Sequence, residues 1–148
     1  MGFPATPALT VDCVAVDAEG RVLLIRRGRP PFEGHYALPG GFVDIGETVE
    51  TACRRELEEE TGIVARDLRL AGVYSDPNRD PRGHTVSVVF LTRLAESQPL
   101  ARAGDDAAAA EWIADWAALP LAFDHARILA DILRGRGSKD EGSGTGGE

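Results

Sequence analysis

The chain has 148 residues, of which 43% are hydrophobic and 27% are charged, and its 24 acidic against 16 basic residues give a net charge of −8. This composition fits one domain with an ordinary core, and it excludes a disordered chain, a collagen-like repeat and a disulfide-stabilised miniprotein. No apolar run approaches the roughly 20 residues of a membrane helix, and the N-terminus lacks the features of a secretory signal, so we expect no membrane partner.

Cysteine usage and charge narrow the compartment and the partners. Cys13 and Cys53 lie in apolar-periodic segments and are predicted to be buried free thiols, which favours a reducing, cytoplasmic location. The negative charge disfavours nucleic acid as a partner, because binding to its backbone needs a basic face. Residues 41–63 carry seven acids and two bases, more than half of the net charge.

In chain order, the apolar and β-branched residues predict a mixed sheet with helices packed on it, an α/β (α+β) domain. The turn at 17–20 joins the first two strands as a hairpin, and the helix over 48–61 ends at Gly62, a residue suited to the left-handed position. Predicted strands are 11–16, 22–26, 68–74, 85–94 and, with the weakest signal, 110–113. A second helix is predicted over 123–134. We expect residues 1–134 to form the domain and the glycine-rich residues 135–148 to form a flexible tail.

The acidic helix over 48–61 has an unusual arrangement of charge. At about 100° per residue, Glu56, Glu59 and Glu60 share an arc of about 100°, which overlaps the apolar stripe facing the core. Glu58 points to the opposite side, toward solvent. Carboxylates about 5–6 Å apart repel by roughly 3 kcal/mol at an effective dielectric near 20, so either a proton or a cation must compensate them.

Two interpretations of this helix remain open from the residues themselves. An acidic helix is usually a solvated face with arginine partners. Converging oxygen ligands, however, suit a hard divalent ion such as Mg²⁺ or Mn²⁺. The preceding residues 38–41 (Leu-Pro-Gly-Gly) predict a tight turn that lets the backbone approach a ligand closely and point a carbonyl at the same ion.

A longer pattern connects this turn and this helix. Gly41, Glu47 and the run 55–63 (Arg-Glu-Leu-Glu-Glu-Glu-Thr-Gly-Ile) fill every fixed position of the Nudix box, so the chain resembles the Nudix hydrolase family. The resemblance implies a Nudix-type α/β/α sandwich with a mixed β-sheet. It also implies the hydrolysis of a nucleoside diphosphate derivative with a divalent metal ion, Mg²⁺ or Mn²⁺.

The resemblance assigns roles to residues of the box. By position, Glu56, Glu59 and Glu60 match the metal-binding glutamates, and Gly40 matches the residue whose carbonyl often joins them. Glu47 and Arg55 match a pair that braces the loop–helix–loop, while Gly41 and Gly62 are structural positions of the motif. An ion pair between Arg55 and Glu59, one helical turn apart, is equally consistent with the residues.

The resemblance also implies how the reaction proceeds. Cations neutralise the diphosphate oxygens and lower the pKa of a bound water, from which a carboxylate removes the proton. We expect Glu59 or Glu60 to be that base. Acids of a later loop, Asp105, Asp106 or Glu111, are the competing candidates.

A second region bears on the substrate. The stretches 74–84 and 122–126 are similar to those of small bacterial and archaeal Nudix proteins classed as ADP-ribose pyrophosphatases. Arg79, Arg82 and His84 are therefore candidate substrate ligands. The resemblance also implies a substrate contact at the strand end that carries Arg26 and Arg27; pleat alternation lets only one of them face the cleft, and we expect Arg27.

The function expected from this resemblance is the hydrolysis of ADP-ribose to AMP and ribose 5-phosphate. The alternatives are a house-cleaning (d)NTP pyrophosphatase of the same fold, acting for example on oxidised dGTP, and a non-catalytic module that senses a nucleotide sugar. Residues alone leave the oligomeric state open, and the resemblance implies a homodimer.

Overall fold

A central mixed sheet organises the chain. The computed structural model describes residues 2–100 and 109–135. The described strands are β1 (Ala8–Val16), β2 (Val22–Arg26), β3 (Tyr36–Ala37), β4 (Gly40–Phe42), β5 (Arg69–Tyr74), β6 (Thr85–Arg93) and β7 (Ala110–Ile113). Asp105, Asp106 and the predicted tail beyond Gly135 lie outside the described residues.

Strand β1 lies in the middle of this sheet, whose order is β3-β2-β1-β6-β5. It pairs with β6 in parallel from Ala8↔Thr85 to Val16↔Arg93. It also pairs antiparallel with both β2, as the predicted hairpin, and β4. Strand β7 pairs antiparallel with the other side of β2 and has the predicted bounds. The predicted mixed sheet is therefore confirmed.

The helix that carries the acidic residues, α1, spans Val49–Thr61. It begins after Thr48, whose side chain accepts a hydrogen bond from the Thr51 N–H at 3.1 Å. It ends at Gly62, which has a φ of 81° and occupies the left-handed position predicted for it. Local capping thus fixes the predicted helix to within one residue.

The second helix begins later than predicted. Helix α2 spans His125–Leu129 and continues as a π-helical stretch, Ala130–Gly135. The predicted start at Phe123 is wrong because Phe123 has a φ of 53°, outside the right-handed helical region.

Two helices cover the two faces of the sheet. Successive residues of β1 alternate between two cores, one shared with α1 and the other with α2. Leu57 of α1 belongs to the first core, and Ile128 of α2 belongs to the second. Cys13 and Cys53 are buried free thiols of the first core. This arrangement is the predicted α/β/α sandwich.

The segment that leads into α1 differs from its prediction. Residues 38–41 were expected to form a tight turn, but Gly40 and Gly41 belong to β4 and pair with Asp12 and Val11 of β1. Glycine permits this close pairing, because a Cβ on Gly40 would lie 2.6 Å from Asp12 Oδ1. Within residues 2–100 and 109–135, every helix is too short or too polar to cross a membrane.

Candidate active site

A cleft of about 100 Å³ opens beside β4 and the C-terminal half of α1. Strands β1 and β2, the loop before β6 and the segment before α2 form the rest of its wall. Its lining includes Asp12, Arg27, Gly40, Gly41, Glu60, Arg79, Asp80, Arg82, Phe123 and His125. One wall therefore presents a box glutamate, and another presents arginines.

Glu60 is the box glutamate that lines the cleft. Its Oε1 accepts a hydrogen bond from the Gly40 N–H at 3.0 Å. Burial, followed by the charges of Glu56 and Asp12, raises the pKa of Glu60 to about 8, although the Gly40 hydrogen bond opposes the shift. Glu60 therefore holds a proton near neutral pH and donates it in a hydrogen bond to the Glu56 carboxylate.

Glu56 lies between this protonated acid and a cation. Burial raises the pKa of Glu56, while Arg55, whose Nη1 donates to Glu56 Oε2 at 3.0 Å, opposes the rise. Gly41 faces the same carboxylate so closely that a Cβ there would lie 2.6 Å from Glu56 Cδ. A side chain at position 41 would therefore displace Glu56.

Glu59 and Glu58 are more exposed. The side chain of Glu59 is 61% exposed, and its Oε1 accepts from Arg55 Nη1 at 3.3 Å, the same nitrogen that contacts Glu56. Glu58 is exposed on the outer side of α1, as expected. Across residues 2–100 and 109–135, no three acidic, His or Cys side chains are already arranged as metal ligands. Arg55 and a shared proton compensate the acids instead.

Arg55 also joins α1 to the loop before it. Its Nε and Nη2 donate to the two carboxylate oxygens of Glu47 at 2.7 and 2.9 Å, and Nη2 donates to the Phe42 carbonyl at 3.1 Å. These hydrogen bonds lower the pKa of Glu47 to about 2 and raise that of Arg55. This bidentate pair connects the two ends of the motif.

Arg27 and Arg82 form the cationic part of the wall. Arg27 Nε donates to the Pro31 carbonyl at 2.7 Å, and Arg82 forms an ion pair with Asp80 at 2.8 Å. Both guanidinium groups contact the Phe123 ring. Arg26, the last residue of β2, instead contacts Tyr36 outside the lining, whereas Arg27, which follows β2, lines the cleft.

Three other candidates have different surroundings. The side chain of Arg79 is only 5% exposed and forms a bidentate pair with Asp124 at 2.7 and 3.0 Å, so it holds the cleft wall together. His84 contacts the Ser75 carbonyl at 3.0 Å and does not line the cleft. Glu111 is on β7, where it accepts from the Tyr36 hydroxyl at 3.3 Å, and it does not line the cleft either.

Sequence reasoning missed the buried polar pair Asp12 and His125. His125 Nδ1 accepts from the Leu38 N–H at 3.0 Å, and its Nε2 lies 3.6 Å from Asp12 Oδ1. Burial lowers the pKa of His125 and raises that of Asp12, whose Oδ2 also accepts from Ser87 Oγ at 2.5 Å. The available signal was an aspartate inside an otherwise apolar strand.

The donor set suits a divalent cation. Glu56 and Glu60 are two hydrogen-bonded, half-buried carboxylates whose pKa values are raised chiefly by burial. Hard dications prefer such carboxylate oxygens, and the charge of one would replace the shared proton as the compensating group. Glu59 directly precedes Glu60 in α1, and its side chain is exposed enough to rotate toward the carboxylates of Glu56 and Glu60.

Comparison with known proteins agrees with the fold and the motif. A family model described as NUDIX domain matches residues 6–132. An ADP-ribose pyrophosphatase from Methanocaldococcus jannaschii is 49% identical over 129 residues, which cover 86% of this chain and 74% of that protein.

Two solved structures are also similar. The NUDIX domain of Shewanella oneidensis NrtR, in complex with ADP ribose, aligns with a TM-score of 0.77 at 31% identity and covers 84% of this chain and 85% of its own. A bifunctional NMN adenylyltransferase/ADP ribose pyrophosphatase from Francisella tularensis, in complex with AMP and a manganese ion, aligns with a TM-score of 0.76 at 30% identity. That alignment covers 86% of this chain but only 41% of the Francisella chain.

Proposed function

The chain belongs to the NUDIX domain family, and from this premise we propose that it is an ADP-ribose pyrophosphatase, hydrolysing ADP-ribose to AMP and ribose 5-phosphate. The main support for this substrate assignment is the 49% identity with the Methanocaldococcus ADP-ribose pyrophosphatase. A cleft with Glu60 on one wall and Arg27 and Arg82 on another supports it, because a diphosphate needs cationic ligands and a carboxylate to handle a proton.

Nudix hydrolases need a divalent metal ion, and we propose Mg²⁺ or Mn²⁺ for this one. Glu56, Glu59 and Glu60 would hold it together with the carbonyl of Gly40. When bound, such an ion neutralises diphosphate oxygens and lowers the pKa of a coordinated water. The raised pKa of both Glu56 and Glu60 supports this assignment, since a second positive charge nearby would offset their burial.

The protein's own groups then supply positioning and proton transfer. Once a metal ion has replaced its shared proton, Glu60 would accept the proton of the attacking water, because it lines the cleft and the Gly40 N–H fixes its carboxylate at 3.0 Å. Glu59 is the second candidate base. Arg27 and Arg82 bind the diphosphate oxygens. The Arg55–Glu47 pair holds the loop against α1, and we assign Arg79 to the support of the wall.

Product analysis tests the reaction. Incubated with Mg²⁺ and a panel of nucleoside diphosphate derivatives, the protein should convert ADP-ribose to AMP and ribose 5-phosphate without releasing pyrophosphate. Turnover of a dNTP with pyrophosphate release, while ADP-ribose stays intact, would identify the house-cleaning alternative. Binding of ADP-ribose with no product would identify a sensor.

Substitution tests the base. Glu60→Gln should abolish turnover and leave the circular dichroism spectrum unchanged, because the amide keeps the shape of the side chain but cannot accept the proton. Glu58→Gln, the same change on the exposed side of α1, is the matched control and should retain wild-type turnover. Metal-dependent activity of Glu60→Gln would contradict the role of Glu60.

We also propose a homodimer and a reducing, cytoplasmic compartment. Leu70 and Val73 are exposed apolar residues of β5, which lies at an edge of the sheet and can pair with a second chain. Two buried free thiols in one core favour the compartment. Light scattering after size-exclusion chromatography measures the oligomeric state, and a mass near 15.8 kDa, that of one chain, would contradict a dimer.

A further inference from the structure

Two aromatic residues beside the cleft have backbone conformations that bulky side chains rarely adopt. Phe32 has a φ of 60° and Phe123 a φ of 53°, and their rings meet edge to face with centroids 5.0 Å apart. Such a conformation is unfavourable for a bulky residue, and it persists where its surroundings require it, most often at functional sites. The surroundings that require this conformation of Phe123 include the contacts of its ring.

The Phe123 ring contacts two cations of the cleft wall. Cζ of Arg27 lies 5.0 Å from the ring centroid, and Cζ of Arg82 lies 5.7 Å from it. Two guanidinium groups so close together repel each other, and Arg82 contributes, after burial, to lowering the pKa of Arg27. The negative faces of an aromatic ring attract both groups and so offset this repulsion.

The charges of Asp80 and Glu60 oppose the lowering of the Arg27 pKa, but burial and Arg82 outweigh them. Asp80 forms an ion pair with Arg82, and Arg27 donates to the neutral Pro31 carbonyl. Within the described part of the chain, no carboxylate lies within ion-pair distance of Arg27. The wall therefore has an unbalanced positive charge facing the cleft, which is what a doubly charged diphosphate requires.

The Phe123 ring also contacts two aromatic side chains. Besides the two arginines, Phe32 contacts it at 5.0 Å and His125 at 5.3 Å between centroids. These contacts make the ring a support for the two cations, although the half-buried side chain also lines the cleft.

We propose that Phe123 is a positioning residue, whose ring holds Arg27 and Arg82 together at the spacing that binds the diphosphate of the substrate. This inference rests on the proposed function. It assigns substrate affinity to a residue that has no polar atom in its side chain, and it explains why a strained phenylalanine lies between the cleft and α2.

Kinetics separate this role from a general structural one. Phe123→Leu removes the ring and should raise KM for ADP-ribose about three- to thirty-fold, the range expected from one to two cation–π contacts, with kcat near its wild-type value. Phe123→Tyr keeps the ring and should restore KM. In the Arg27→Gln background, Phe123→Leu should have a much smaller effect, because one of its two partners is already missing.

A contact between Arg26, the last residue of β2, and Tyr36 provides a matched control. Tyr36 lies 5.8 Å from Arg26 Cζ and does not line the cleft, so Tyr36→Leu should leave KM unchanged. Equal KM values in Phe123→Leu and wild type, or equal losses in Phe123→Leu and Phe123→Tyr, would overturn the proposal.

A spectroscopic measurement tests the contacts without catalysis. In wild type, the ring current of Phe123 should move the side-chain proton resonances of Arg27 and Arg82 upfield. Phe123→Leu should abolish these shifts, and Phe123→Tyr should keep them. Random-coil shifts in wild type would overturn the proposal, whatever the substrate is.

The positioning role of Phe123 can be tested even if the proposed ADP-ribose activity is wrong. If wild type does not hydrolyse ADP-ribose, calorimetric titration with inorganic pyrophosphate in the presence of Mg²⁺ replaces the kinetic assay. Weaker binding by Phe123→Leu, restored in Phe123→Tyr, would still support the positioning role, and equal affinity in all three proteins would overturn it.

Discussion

Protonation of Glu60 should make the stability of the metal-free protein depend on pH. In the folded state the pKa of Glu60 is raised to about 8, from an ordinary value of 4.5. Between these values the folded chain keeps a proton that the unfolded chain releases. Stability therefore falls as the pH rises through this window, the reverse of the usual behaviour of a salt-bridged carboxylate.

The size of the effect follows from the shift. A pKa raised from 4.5 to about 8 costs at most about 4 kcal/mol between pH 5 and pH 8. Because Glu60 keeps partial contact with solvent, we expect about 2 kcal/mol of this loss to be measurable. Glu60→Gln cannot ionise and should lack the loss, whereas Asp12 and Glu56, whose pKa values are also raised, are present in both proteins.

Urea unfolding in EDTA at pH 5, 6, 7 and 8 measures the difference. The free energy of unfolding of wild type should decline relative to that of Glu60→Gln, and Glu58→Gln should follow wild type. Added Mg²⁺ or Mn²⁺ should stabilise wild type more at pH 8 than at pH 5, because the ion binds the deprotonated carboxylates. Parallel pH profiles of wild type and Glu60→Gln would refute the assignment of the buried proton.

Two further substitutions test the cleft walls. Gly41→Ala places a Cβ against Glu56 and should lower kcat/KM about 100-fold, as expected for a displaced active-site group, while circular dichroism shows a folded protein; wild-type kcat/KM would contradict the close approach. Arg79→Met leaves Asp124 without its bidentate partner and should lower the urea-derived free energy of unfolding by about 3–5 kcal/mol; a loss below about 1 kcal/mol would show that the pair contributes little.

The sequence predicted best the elements whose signals are local. Helix α1 has its cap at Thr48, its buried residue Leu57 and its terminal Gly62 within one short stretch, so its bounds were predicted to within one residue. Strand β7 was predicted with the correct bounds from four residues with only a weak signal. Its pairing with β2 was not predictable, since it depends on residues far away in the chain.

The missed features depend on long-range contacts. Strand β4 begins with two glycines, which disfavour strands, and it forms because only glycine fits against β1 beside Asp12. The positive φ of Phe123 makes the second helix begin later than predicted, at His125, and neighbouring sequence does not indicate it. The partners of Asp12, which are Ser87 and His125, lie 75 and 113 residues further along the chain.

For the box glutamates, too, helical periodicity alone could not predict every side-chain contact. Helical periodicity correctly placed Glu58 on the exposed side and Glu60 near the core, but it was wrong to place Glu59 beside the core, because that side chain is 61% exposed. It could not show that Arg55 would hold Glu56 and Glu59 through one nitrogen, because that depends on side-chain rotamers. The metal site therefore stays a prediction.

The parallel pairing of β1 with β6 has a consequence for how the chain is made. Ala8 leaves the ribosome well before its partner Thr85, which follows only after both the hairpin and α1 have been synthesised. Contacts of such large sequence separation slow the search for the native topology. We therefore expect the edge of β1 that pairs with β6 to stay unpaired during translation until β6 has been synthesised, and the sandwich to form late.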